Sequence, residues 1–289
     1  MSRLVVVTAT TQFEKAASCI ESWGKDVPVV IVANSGKVPH GALKPPLSTW
    51  LVYDEYMGTV PAFKAGVDFV LDQMPDVDII ACLHDDVVLY EPEWMLKVRR
   101  HFDTHPQTGL AGFGGAIGLA DEDIYQTPYK PVQLARKGFR SNLIDAEVHG
   151  LRSLLAEPVA CLDGFSQIGR REFWLGLAPV SQLTKRIDNG GTISRGEYQP
   201  TLRPWHLLDR IGVRHHAYDS ALGAIAKRYH WEAWYLPVRC RHLGGMTAVG
   251  DEGYQRWAAQ QTEGGDHGFW EQAHAAVYAE FKAELPIRL

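Results

Sequence analysis

The sequence predicts an α/β fold, a mostly parallel β-sheet with helices on both faces and a less regular region following it. Three observations predict it. Short runs of apolar, largely β-branched residues alternate with helix-period segments through the first hundred positions. The runs have no polar alternation, as expected of strands covered on both faces. Of the 289 residues, 46% are apolar and 22% charged, the balance of an ordinary globular core.

The elements follow in order. Leu4 to Thr8 reads as the first strand, and Phe13, Ala16, Ala17, Ile20 and Trp23 recur at helical spacing behind it. Val27 to Val32 reads as a second strand that stops at the turn cluster Asn34, Ser35 and Gly36. After a loop containing Pro39, Pro45 and Pro46, Thr49 to Tyr53 reads as a third strand. Phe63, Val67, Val70 and Leu71 mark the next helix, and Asp78 to Leu83 a fourth strand ending at Asp85 and Asp86. Trp94, Val98 and Phe102 mark a helix behind Pro92, a good first-turn residue. Further on, Leu110 to Phe113, Ala160 to Ile168 and Trp234 to Val238 read as strands, Leu222 to Tyr229 and Phe269 to Leu285 as helices, and Val180 to Pro204 as a long loop.

Several function classes drop out early. The net charge of −5 does not advertise a nucleic-acid binder. No apolar run reaches the roughly 18–20 residues of a membrane span. The N-terminal residues lack a signal-peptide pattern, and Cys19, Cys82, Cys161 and Cys240 form no Cys-x-x-Cys pair, so buried thiols and a cytoplasmic setting are expected. The turn after the first strand contains no glycine, against a dinucleotide fingerprint, and there is no Gly-Lys-Ser/Thr phosphate loop.

In a parallel sheet, ligands bind beyond the carboxyl ends of the strands. Two adjacent carboxylates there, Asp85 and Asp86, read either as ligands of a hard divalent cation, Mn²⁺ or Mg²⁺, or as a solvated turn or helix cap. His242, followed by Gly244 and Gly245, reads as a metal ligand or a structural histidine; Asp219 reads as a catalytic carboxylate or a plain N-cap. Arg170 and Arg171 offer a cationic clamp or a surface ion pair, and the tryptophans, Trp205 among them, stacking faces or core packing.

Together these blocks resemble the inverting glycosyltransferases of family 2, which have the GT-A fold. The resemblance rests on Val29 to Gly36, on His84-Asp85-Asp86 as an Asp-x-Asp-type motif, and on Asp163, Gly164 and Phe165 with Arg170, Arg171 and Trp174. It ends with Asp219, Leu236-Pro237 and His242 to Gly245. His84 stands where the first Asp of that motif usually sits, Ala33 where an Asp often reads the nucleobase, and Tyr218 where an acid commonly precedes the base.

The resemblance implies one GT-A-like domain over 1–289, with a nucleotide-sugar half (1–118), an acceptor half (119–245) and a helical tail (246–289). It implies a nucleoside-diphosphate sugar as donor and Asp219 as base. Asp86, His242 and Asp85 would hold the metal. Thr8, Thr10, Asn34, His84, Asp85, Arg170 and Arg171 would contact the donor, and Asp163, Gly164 and Trp205 the acceptor. The acceptor is a modified pyrimidine in DNA, as in some phage enzymes of this type, or else a glycan, a protein or a small molecule. A non-catalytic sugar- or nucleotide-binding module and a sugar nucleotidyltransferase are the competing readings.

Overall fold

The computed structural model describes residues 2–34, 47–120, 134, 136–144, 151–179, 202–244, 252–261 and 265–289. Most of the loop expected over 180–204, with its Lys185, Arg186 and Arg195, lies outside them, as do Ser35, Gly36 and Gly245.

β1 (Leu4–Thr10) sends Val5 and Val7 into one buried cluster and Leu4 and Val6 into another. This is the alternation a strand at the centre of a two-faced sheet must show. α1 (Phe13–Trp23) and, further along, α3 (Trp94–Thr104) cover the Leu4 face with Ile20, Trp23, Trp94, Val98 and Phe102. α2 (Thr59–Gln73) covers the Val5 face with Phe63, Val67 and Val70. A Cβ at Gly66 would overlap Val7, so the glycine lets α2 lie directly on β1.

The remaining strands of the first half are β2 (Val29–Ala33), β3 (Ser48–Val52), β4 (Ile79–Leu83), β5 (Val87–Leu89), β6 (Thr108–Gly112) and β7 (Gly114–Leu119). β8 (Arg136–Ser141), β9 (Leu151–Arg152), β10 (Glu157–Val159), β11 (Cys161–Leu162) and β12 (Ser166–Arg170) follow. After α4 (Arg171–Trp174), α5 (Pro204–Arg210) and α6 (Tyr218–Arg228) come β13 (Glu232–Tyr235) and β14 (Cys240–His242). α7 (Glu252–Gln261), α8 (Gly265–Phe281) and β15 (Ile287–Arg288) complete the chain.

The main sheet has eight strands in the order β10-β13-β6-β12-β4-β1-β2-β3. Only β12 and β10 run against the others, so the sheet is mostly parallel, as expected. The chain steps outward from β1 to β2 and β3, then crosses back through α2 to β4 on the other side of β1. That reversal opens a crevice beyond the carboxyl ends of β1 and β4.

Three differences from the sequence reading matter. The expected strand over Ala160 to Ile168 is split into β11 and β12, because Asp163 to Phe165 turn the chain between two sheets. A second, five-stranded sheet of β11, β7, β8 and β9, with β15 on β7, went unread, since its strands are short and partly polar. A two-stranded ribbon, β14 against β5, also went unread. All four cysteines are free and buried. Among the described residues, no helix is long and apolar enough to cross a membrane.

Candidate metal centre between two cavities

The ribbon of β5 and β14 builds the centre. Its register pairs His242 with Val87, and Leu243 N–H donates to the Asp86 carbonyl at 3.0 Å. His242 is thereby fixed beside Asp86, 156 positions earlier in the chain. His84, Asp86 and His242 each offer one ligand atom, all within 4.8 Å of one another. Asp86 is 5% exposed, and its Oδ1 is buried with no hydrogen-bond partner. His242 Nε2 lies 3.2 Å from that oxygen and His84 Nδ1 3.9 Å. An orphaned carboxylate oxygen flanked by two imidazoles costs free energy as it stands and suits a divalent cation.

Protonation states agree with that fit. Burial drives the His84 imidazole down to about 4, so the ring is neutral near pH 7. Tyr218 O–H donates to the Gly164 carbonyl at 3.0 Å and lies 2.6 Å from His84 Nε2. The hydroxyl has one proton, so both bonds form only if His84 carries its hydrogen on Nε2. Nδ1 then presents a lone pair towards Asp86. Burial pushes the Asp86 carboxyl up, but His242, His84 and Lys15 outweigh it and hold the group well below its ordinary range. His84 is also braced from behind by stacked rings: Phe63 at 6.1 Å, then Trp205 on Phe63 at 5.5 Å and Trp174 on Trp205 at 5.6 Å.

Two cavities meet at this centre. The smaller, about 170 Å³, lies in the crevice and is lined by Thr10, Asn34, Thr59, Asp85 and the three candidate ligands. The larger, about 500 Å³, is lined by Arg136, Asp163, Gly164, Asp219, Trp270 and His274. His84, His242, Thr59 and His215 belong to both walls.

Asp85 does not join the ligand group. Its carboxylate takes a hydrogen bond from Thr10, and burial leads the causes that raise its pKa to about 6. In the group that could hold a metal ion, His84 stands where the sequence reading put Asp85. Asn34 is on the smaller cavity's wall, where Nδ2 donates to Gly58 O at 3.3 Å and Oδ1 accepts from Met57 N–H at 2.9 Å.

In the larger cavity, Arg136 is ion-paired to Asp219 and to Asp163, the latter at 2.9 Å, and reaches Ser220 Oγ at 3.3 Å. Burial pushes the Asp219 carboxyl up; Arg136 and the Ser220 N–H outweigh it and bring the group below its ordinary range. Ala217, at φ 60°, turns the chain into α6 so that Tyr218 and Asp219 both face this cavity. Gly164 gives Tyr218 its room, since a Cβ there would come within 2.6 Å of the hydroxyl.

Four expected contacts are corrected. Thr8 is fully buried within β1 and lines neither cavity. Trp205 is 2% exposed and packs between Phe63 and Trp174, so it supports the centre and meets no acceptor. Arg170 and Arg171 lie at the far edge of the sheet, because β12 runs antiparallel and pairs Arg170 with Ile79, at the start of β4. Arg170 donates to the carbonyls of Phe102 and His105 at the end of α3 and of Thr108 at the start of β6, and Arg171 to those of Leu71 and Met74 at the end of α2 and of Val77 beyond it. Both cap helices.

Sequence reasoning missed Tyr218 as a partner of His84, and Arg136, Lys15 and His215. The His215-His216 doublet was a visible signal. Arg136 was visible only as part of the small basic run Arg136, Lys137 and Arg140, and Lys15 and the Tyr218–His84 contact had no signal, since their partners lie far away in the chain.

No protein-family model matches the chain, and no curated protein matches it. Among solved structures, the crystal structure of A197 from STIV aligns over 84% of this chain and 86% of that one, at 13% identity and a TM-score of 0.42. A likeness this remote carries no inference about function.

Proposed function

We propose that the chain is a metal-dependent inverting glycosyltransferase that moves a sugar from a nucleoside-diphosphate sugar to an acceptor hydroxyl. One observation carries the reading: the orphaned Asp86 Oδ1 of the smaller cavity, set between two imidazoles that line both cavities. His84, Asp86 and His242 would hold Mn²⁺ or Mg²⁺. When bound, such a cation offsets the negative charge that a diphosphate leaving group develops. The smaller cavity takes the donor, with Thr10, Asn34 and Asp85 on its wall. The larger cavity takes the acceptor, with Asp163, Gly164, Asp219 and the Trp270 ring, packed on His274 at 3.9 Å, on its wall.

Asp219 accepts the acceptor's proton in this reading, help typically worth about 10²–10⁴-fold. Its pairing with Arg136 makes it a weaker base than a free carboxylate. The acceptor must therefore loosen that contact, after which Arg136 keeps Asp163 and Ser220 as partners. The same pairing favours the second reading, a binding module that holds a sugar or nucleotide without turnover. One experiment separates them. Sugar nucleotides are incubated with the protein and Mn²⁺, and release of nucleoside diphosphate is followed with and without candidate acceptors. Mn²⁺-dependent release that Asp219→Asn stops, with donor binding retained, supports the transferase. Donor binding without release under every condition supports the binding module.

A further inference from the structure

Lys15 has no part in the mechanism above, yet its position is built. α1 is docked along β5 by two bonds: Trp23 Nε1–H donates to Val87 O at 2.8 Å, and Leu89 N–H donates to Ser22 Oγ at 3.0 Å. That docking sets the first turn of the helix beside Asp86. Lys15 Nζ sits 3.7 Å from Asp86 Oδ2, while the two imidazoles approach Oδ1. The carboxylate thus has an ammonium on one oxygen and the candidate cation position on the other. The Lys15 side chain is 23% exposed, so its head can turn outward. A hollow of about 330 Å³ is lined by Gln12, Phe13, Glu14 and Lys15. No side chain caps α1, and Glu14 in its first turn offsets part of the positive charge there, leaving Lys15 as the group that faces Asp86.

We propose that Lys15 couples the cation to the anionic half of the donor. Its ammonium shares Asp86 with the cation and repels it, and it gains a better partner when a diphosphate is bound alongside. The proposal rests on the cation reading above. It predicts effects of opposite sign, which a purely structural lysine would not give. Removing the ammonium strengthens binding of the cation alone, through lost repulsion, and weakens the enhancement that a diphosphate brings.

The test is calorimetric titration of Mn²⁺ into the full chain, alone and with inorganic pyrophosphate, for wild type, Lys15→Gln and Lys15→Arg. Lys15→Gln is expected to bind Mn²⁺ alone about fivefold more tightly, the size of one partly screened charge contact. It is expected to lose about tenfold of the pyrophosphate enhancement, and Lys15→Arg to restore most of it. Unchanged Mn²⁺ affinity in Lys15→Gln overturns the proposal, as does a parallel weakening with and without pyrophosphate. Wild type that binds no Mn²⁺ overturns the cation reading itself, a result distinct from either.

Discussion

Replacing Tyr218 with Phe removes one oxygen and asks whether the tautomer of His84 matters. The hydroxyl is the middle of a relay from His84 Nε2–H to Tyr218 to the Gly164 carbonyl, at 2.6 and 3.0 Å. Without it the carbonyl and the Nε2–H both lose their partner. Stranding a buried polar group costs about 1–3 kcal/mol, so the variant should unfold in urea with about that much less stability. The larger effect falls on the metal. With nothing to hold the proton on Nε2, the ring can place it on Nδ1, facing Asp86, which removes the lone pair a cation needs. Loss of such an outer partner typically costs about 10–100-fold in metal affinity. The assay is Mn²⁺ titration of the folded variant, checked by circular dichroism. Wild-type Mn²⁺ affinity in Tyr218→Phe would refute both the proton assignment and the ligand role of His84.

Other outcomes follow from the same geometry. Asp86→Asn keeps the shape and removes the charge, so the rise in melting temperature that Mn²⁺ gives wild type should vanish; a retained rise places the cation elsewhere. At 100 times the dissociation constant that rise corresponds to about 2.7 kcal/mol. Arg171→Gln breaks three bonds to carbonyls at and just beyond the end of α2 and should cost about 2–3 kcal/mol of stability with Mn²⁺ affinity unchanged. A change in Mn²⁺ affinity would mean that the far edge of the sheet communicates with the site. His101 is buried against Thr108 and stacked on His105 at 4.3 Å; burial first, then His105 and Arg170, lower its pKa to about 4. A lowered folded-state pKa stabilises above the unfolded value of about 6.5, and that share is lost as pH falls towards 4, at most about 3 kcal/mol. His101→Gln should flatten urea stability between pH 7 and 4.5, and an unaltered slope would place the acid sensitivity in other groups.

The sheet was legible because its strands are covered on both faces. Ile79–Leu83 carries five buried residues and then turns abruptly polar, which marks a strand end without any tertiary information. From there, Asp86 follows from the rule that ligands bind at carboxyl ends. Strand direction was not legible. A basic pair after an apolar run suggests a clamp, but β12 is antiparallel, so Arg170 and Arg171 finish at the opposite edge. Nor was the division of labour within residues 84–86. A histidine in place of an acid reads as a loss, until Tyr218, 134 positions downstream, fixes which nitrogen faces the carboxylate. Arg136 lay hidden for a similar reason, since the strand that delivers it to Asp219 belongs to a sheet with no clear apolar pattern.

The charge layout links these pieces. Asp86, on the wall of the smaller cavity, is faced by Lys15 from outside that cavity, while Asp163 and Asp219 of the larger cavity are faced by Arg136 on the same wall. The two cations are held differently. Arg136 is planar and bonded to Asp163, Asp219 and Ser220, a geometry that fixes the acids in place. Lys15 meets one oxygen at 3.7 Å on a partly exposed stem, a contact that a stronger field can displace. On the transferase reading proposed above, the donor side is the side that can accept a divalent charge, and the acceptor side can change only by a proton or by moving Arg136.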